Sequence, residues 1–218
     1  MSDWLTWQVV DSAFPTGAFA HSFGLEAAWQ HGEIRDAGDL RQFLRAALQQ
    51  ATFGSLPLVN AAYREPDRLE VFDARADAFL LNSVANRASR IQGRTLLATA
   101  ARVWPSPDLA RLSTRAARTC AHAAPLAGVV FGVIGLSLTT IQQVVLFGAV
   151  RSVLAAAVRL GIAGSYEAQQ LQAACGPWLD ELLRRGAALG LDDLAQTAPI
   201  ADILQARHDQ LYSRLFQS

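Results

Sequence analysis

The sequence contains no lysine: all 19 basic residues among its 218 are arginine. They meet 19 acidic residues, so the formal net charge is zero, and charged residues make up only 17% of the chain, against about a quarter in ordinary globular domains. A chain with no net charge lacks the phosphate-neutralising excess of a simple nucleic-acid binder, and it repels copies of itself only weakly. With few charges to cover its surface, it is expected to keep apolar area for another protein, and a homodimer is the simplest such arrangement. Arginine used alone suits planar, bidentate contact with carboxylates, although genomic codon bias explains the missing lysine equally well.

Cysteine is also scarce. Cys120 and Cys175 lie far apart and neither belongs to a CxxC pair, which argues against a disulfide framework or a structural zinc site and leaves two thiols in a reducing compartment. Met1-Ser2-Asp3-Trp4 offers neither a basic n-region nor a long apolar h-region, so no signal peptide and a cytoplasmic location are expected. From Thr119 to Val150 there is no Asp, Glu or Arg, but Pro125, Thr139-Thr140 and Gln142-Gln143 interrupt the stretch. Its clean apolar run, Leu126 to Leu138, is shorter than the ~20 residues a bilayer needs. Two buried core helices are therefore expected rather than a membrane span, with Gly128, Gly132 and Gly135 on a closely packed face.

What is present is helical. Apolar residues recur at three- and four-residue spacing, as in Leu40, Phe43, Leu44, Ala47 and Leu48. Asp36 and Ser106 are candidate N-caps, Ser106 being followed by a first-turn proline and acid. Pro66 suits a helix start, and the pattern after it can run through Phe72, Phe79, Val84 and Ile91 to Trp104. Thr140-Ile-Gln-Gln143 matches a capping box, for a helix ending near Gly161. Gly164-Ser165 starts another, Pro177 splits the next, and Pro199 marks off the C-terminal tail. Alternating strand patterns and fixed-period repeats are absent. The expectation is an all-α, single-domain bundle of about ten helices in two layers, spanning residues 1–218.

Catalytic and metal signatures are missing. His21, His31, His122 and His208 show no HExxH spacing, and there is no GxSxG, Walker A or GxGxxG pattern. Asp192-Asp193 after a glycine reads as a helix cap. No catalytic residue and no metal ligand are assigned, and isolated histidines of this kind are expected to give weak metal sites or none. Residues 87–118 hold seven arginines opposed only by Asp108. Arg87, Arg90 and Arg94 share a helix face: either a solvated surface or a docking face for an acidic or nucleotide-bearing partner. Tyr212, Leu215 and Phe216 are large anchors near the chain end, with Arg214 beside them. They suit a segment, residues 209–218, that is mobile alone and orders against a partner. The N-terminal segment 1–11 is a second candidate contact.

The most informative stretch is Pro15-Thr-Gly17-Ala-Phe-Ala-His21-Ser22-Phe-Gly24-Leu25-Glu26. Pro15 and Gly17 make a turn, and Ser22 and Gly24 are poor helix-interior residues, which hints at close packing or a contact surface. The stretch resembles the P-x-G-[AG]-F-x-x-S-x-G-L-E signature of the urease accessory protein UreF family. Asn86-Arg-Ala-Ser-Arg90-Ile-Gln-Gly93, Ala155-Ala-Ala-Val-Arg159-Leu-Gly161 with Ala168-Gln169, and the closing Arg207-His208 with Tyr212-Ser-Arg214-Leu-Phe216-Gln-Ser218 resemble further family blocks, in family order.

The resemblance implies a non-enzymatic helical homodimer that binds the UreD/UreH accessory protein and the GTPase UreG, docks on apo-urease and helps to install nickel, influencing the GTPase. Nickel would be handled by the complex rather than held tightly here. The implied contacts are Pro15, Gly17, Ser22, Gly24 and Glu26 in the first block, Arg159, where the family often has lysine, and Arg207 and His208 at the end. An α-helical enzyme with an apolar pocket and a direct nickel metallochaperone are the alternatives.

Overall fold

The computed structural model describes residues 3–218, so the first two residues of the candidate N-terminal contact lie outside the described residues. The chain is an all-α bundle; among the described residues there are twelve α-helices and no strand. In chain order they are α1 (Asp3–Val10), α2 (Leu25–Gln30), α3 (Ala37–Gly54), α4 (Leu56–Arg64), α5 (Leu69–Phe79) and α6 (Ser83–Val103). Then come α7 (Pro107–Ala116), α8 (Ala123–Val133), α9 (Leu138–Arg159), α10 (Ser165–Ala174), α11 (Gly176–Gly186) and α12 (Pro199–Ala206).

Local chemistry sets most of these ends. The Asp36 carboxylate accepts the Asp39 N–H at 2.9 Å to start α3, and Ser106 Oγ accepts the Leu109 N–H at 3.2 Å to start α7. Gly161, at φ 71°, closes α9, and Gly164 caps α10. Pro177 falls in the first turn of α11 and divides it from α10.

Three boundaries differ from the sequence reading. The pattern from Pro66 to Trp104 is two helices, because Asn82 Oδ1 accepts the N–H groups of Val84 and Ala85 and begins α6 afresh. Ser137, not Thr140, caps α9, its Oγ accepting the Thr140 N–H. Pro199 does not mark off the tail; it opens α12, where its missing N–H would have had no helical partner.

The side chains form two apolar cores. One gathers Phe72, Leu96, Leu97, Leu109, Leu112, Leu126, Phe131 and Ile141 from α5–α9. The other gathers Leu25, Leu40, Leu44, Leu48, Val150, Val153, Leu171 and Leu182 from α2, α3 and α9–α11. Helix α9 runs through both, giving Ile141 to the first and Leu146–Ala157 to the second. It is long and apolar enough to cross a bilayer, yet it packs against α3, α4, α8, α10 and α11, as a core helix does.

A buried polar knot ties the halves together. Gln142 Nε2 on α9 donates to Asn60 Oδ1 on α4 at 2.7 Å, and Asn60 Nδ2 donates to Gly186 O, at the end of α11, and to Leu189 O just beyond it.

Helices α4 and α8 pack closely at Gly128, where a Cβ would lie 2.4 Å from Val59 O. Gly128→Ala is therefore expected to destabilise the fold by about 1–3 kcal/mol through overpacking, read as a lower urea midpoint. An unchanged midpoint would show that the two helices can separate freely.

Candidate functional site

The Pro15–Glu26 stretch leads through a 3₁₀ turn, Ala18–Ala20, into α2. Its odd residues each answer a geometric demand. Gly17 and Gly24 have φ of 77° and 84°, a region that suits glycine. A Cβ at Gly24 would also sit 2.9 Å from the Gln205 side chain on α12. Thr99 Oγ1 on α6 donates to Pro15 O at 2.8 Å, fixing the start of the turn.

The partner of this stretch is the chain's own end, and the two form a clamp centred on Glu26. Glu26 is 1% exposed, and its carboxylate accepts the Leu215 N–H at 2.6 Å, the Phe216 N–H at 3.1 Å and a bond with His208 Nε2 at 3.0 Å. Ser22 donates twice to Ser218 O, from N at 2.6 Å and Oγ at 2.8 Å. His21 Nδ1 lies 2.6 Å from Ser218 Oγ, and Gln217 N donates to Ala20 O. Arg159, at the end of α9, donates to Phe19 O at 2.6 Å. Its guanidinium is stacked between the Phe19 and Phe216 rings, 4.1 Å from each centroid.

Sequence reasoning expected the final segment to be mobile in the free chain. The structure instead packs it on its own domain, because the buried Glu26 carboxylate needs donors and the segment's backbone supplies them. The anchors divide. Phe216 is buried in the second core, whereas Tyr212 is fully exposed and Leu215 is 52% exposed.

The arginine face is also less free than its local sequence suggests. Arg87 binds both oxygens of Asp209 at 2.8 and 3.1 Å, and Arg214 reaches the same carboxylate at 3.3 Å; this holds the Asp209 carboxyl below its ordinary range. Arg115 grips Glu70 with two bonds. Acids from other elements thus answer cations that Asp108 alone faces in sequence. Arg94 and Arg207 are exposed and pair with no acid among the described residues, while Arg90 is half-buried near Cys120.

Large apolar side chains stand exposed at Phe19, at Trp29 on α2, at Ile200 and Ile203 on α12, and at Tyr212 and Leu215 in the chain end, as do Leu81 and, on α1, Trp4 and Trp7. An apolar cavity of about 300 Å³ does exist, as an α-helical enzyme would need, lined by Phe43, Leu58, Phe79 and His21 among others. His21 is its buried titratable wall. Burial and the nearby His208 and Arg87 lower the His21 pKa to about 4, so the imidazole is neutral at pH 7. Its Nε2 has no hydrogen-bond partner among the described residues.

The UreF family model matches residues 34–176. Urease accessory protein F of Arabidopsis thaliana is 36% identical over 99% of this chain and 92% of that protein.

The chain belongs to the UreF family.

Urease accessory protein F of Oryza sativa subsp. indica is 34% identical, covering 98% of this chain and 84% of the rice protein. Urease accessory protein UreF of Sinorhizobium medicae is 31% identical over 98% of this chain. The relatives are thus named as accessory proteins rather than as catalysts.

One reading of the sequence needs correction. Local spacing shows no ligand cluster, yet the ligand atoms of Asp77, Cys120 and His122 lie within 4.8 Å of one another. The only sequence hints are Cys-Ala-His and the Asp73/Asp77 pair at helical spacing.

Two outcomes follow from the clamp. Glu26→Ala would leave the buried Phe216 N–H, the part-buried Leu215 N–H and the buried His208 without their acceptor, at a cost on the order of 3 kcal/mol. Amide exchange at Leu215 and Phe216 should accelerate well before global unfolding; retained protection would show that Glu26 does not hold the tail. The second outcome is a pH dependence. The folded His21 pKa, about 4, lies below its ordinary 6.5, so between these values the unfolded chain binds more protons. Stability should rise with pH through that window and His21 should add no slope above it. Urea melts of wild type and His21→Gln from pH 4 to 7 test this, the variant having the shallower profile.

Proposed function

We propose that the chain is a scaffold of urease maturation, without catalytic activity of its own. It acts as a homodimer that binds a UreD/UreH-type protein and a UreG-type GTPase, docks with them on apo-urease in the cytoplasm, and supports nickel insertion with nickel as cargo. Membership of the UreF family supports the setting. The observation that carries the scaffold reading is the clamped chain end. Glu26 fixes the backbone of Leu215 and Phe216, so that Phe216 points into the core while Tyr212 and Leu215 are held out to solvent.

Such a surface, with apolar tips on an immobilised backbone and arginines at its margin, suits protein association. Aromatic and arginine side chains dominate binding energy when a partner covers them, and a preordered backbone loses little entropy on docking. Arg87 and Arg214 already share Asp209 and help to shape this surface. Arg94 and Arg207 are the better candidates for acids on a partner. The buried Ser22 and Glu26, with Gly17 and Gly24, support the surface from beneath.

The test is co-purification with the UreD/UreH and UreG proteins of the same urease system. Tyr212→Asp combined with Leu215→Asp should reduce capture at least about tenfold and leave the thermal midpoint of the isolated chain unchanged, since both side chains are exposed. Undiminished capture would remove the chain end from the partner interface, and failure of wild type to capture either protein would overturn the scaffold reading.

A further inference from the structure

Away from the clamp, helix α5 and the loop before α8 meet around a small group of ligand-bearing side chains. Asp73 and Asp77 stand one turn apart on α5. Asp73 is 2% exposed, and its carboxylate accepts the backbone N–H of Cys120 through Oδ2 and of His122 through Oδ1, each at 2.7 Å. Between those two donors, Ala121 takes φ 65°, a left-handed conformation unfavourable for a residue with a side chain. The loop reaches this place only because α6 carries Gly93, where a Cβ would lie 2.1 Å from Ala121 O. The Asp73 bridge, the strained Ala121 and the glycine opposite it together hold Cys120 and His122 next to Asp77.

The side chains then converge. The Cys120 thiol, the His122 imidazole and the Asp77 carboxylate present ligand atoms within 4.8 Å of one another. His122 is fully buried. Its Nε2 lies 3.1 Å from Asp77 Oδ1, and its Nδ1 lies 3.1 Å from Ser89 Oγ, which also accepts the Ala123 N–H at 3.2 Å. Asn86 Nδ2 donates to the same Asp77 oxygen at 3.0 Å. The Asp77 side chain is 42% exposed, so the group opens to solvent. A plain His–Asp hydrogen bond accounts for the 3.1 Å contact. It does not account for a strained turn that sets a thiol beside the same carboxylate.

We propose that Asp77, Cys120 and His122 are a three-ligand site for a borderline-soft divalent transition ion, such as Zn²⁺, Co²⁺ or Ni²⁺, with water completing the coordination. One thiolate, one imidazole and one carboxylate are the mixed donors such ions take, and hard cations that prefer all-oxygen cages are disfavoured. The two anionic ligands neutralise the ion's charge, and at the Cys120 thiol the buried Asp73 carboxylate acts against the nearby Arg90. On binding, the thiol loses its proton to solvent and His122 takes the Nδ1–H tautomer. Nε2 then ligates the metal while Nδ1–H donates to Ser89 Oγ, the outer-shell contact that fixes a ligating imidazole. The site stands on these contacts and is independent of the role in urease maturation.

The test uses the full-length, metal-stripped chain titrated with Co²⁺, Zn²⁺ and Ni²⁺. One equivalent of Co²⁺ should produce a near-ultraviolet sulfur-to-metal charge-transfer band. Cys120→Ser should abolish the band, and Cys175→Ser should keep it. By calorimetry, Asp77→Asn should weaken binding of each ion at least about tenfold, the lower end of the loss seen even for outer-shell partners. The thermal midpoint of the metal-free variants reports whether they fold. The proposal is overturned if wild type gives no charge-transfer band, if the band follows Cys175 instead, or if folded Asp77→Asn binds as tightly as wild type.

Discussion

A carboxylate sealed from water must be met by donors or it will unfold its surroundings. Glu26 is that group here, and much of the molecule is arranged to satisfy it. The donors come from the far end of the chain, as the N–H groups of Leu215 and Phe216 and the Nε2 of His208. The tail must therefore cross α2, and that crossing sets further requirements. Gly24 must lack a Cβ because α12 passes 2.9 Å from where one would stand. Ser22 must be small and polar because it lies 0% exposed against Ser218 O. Arg159 closes the arrangement from α9 by stacking between one ring from each end of the chain. A run of residues unfavourable for a helix becomes intelligible as half of a two-part lock.

The same constraint orders the charge. A chain with so few ionic groups spends several of them at the clamp's edge, where Arg87 and Arg214 converge on Asp209. These pairs are 41–48% exposed on their side chains, so each contributes little to stability by itself. Their effect is positional, since they fix the segment between the buried His208 and the buried Phe216. The neutral, partly unsatisfied His21 lies beneath. It ties the clamp to acidity because its protonation would place a charge beside His208 and Arg87.

Legibility in the sequence followed the range of each interaction. Caps are local, and Asp36, Ser106, Gly161 and Gly164 all stood where side-chain chemistry and periodicity indicated. Errors arose where two local signals competed. Leu80-Leu81 continues the apolar pattern across a real break, and only the Asn82 side chain, bonded to Val84 and Ala85, marks it. Thr140 looked like a cap but lies one turn inside α9, behind Ser137. The resemblance blocks at the two ends were visible as text, but their contact was not, because it depends on a tertiary crossing. The Asp77–Cys120–His122 group was illegible for the same reason. Its assembly relies on a left-handed alanine and on the absence of a Cβ at Gly93, neither of which leaves a spacing pattern.

The docked tail bears on how a segment can serve its own fold and an interface at once. A tail that orders only on binding would lose conformational entropy at that moment. A tail with all its anchors buried would offer nothing to bind. Here Phe216 contributes to the second core while Tyr212 and Leu215 face outward from a backbone fixed by Glu26. Much of the entropy of ordering is already lost in the free chain, and the exposed tips stay accessible to the partner proposed above. Any change that loosens Glu26 or charges His21 would weaken the fold locally and scatter these tips together. The exposed chain end therefore reports on the buried state of the N-terminal stretch, through two backbone hydrogen bonds to one carboxylate.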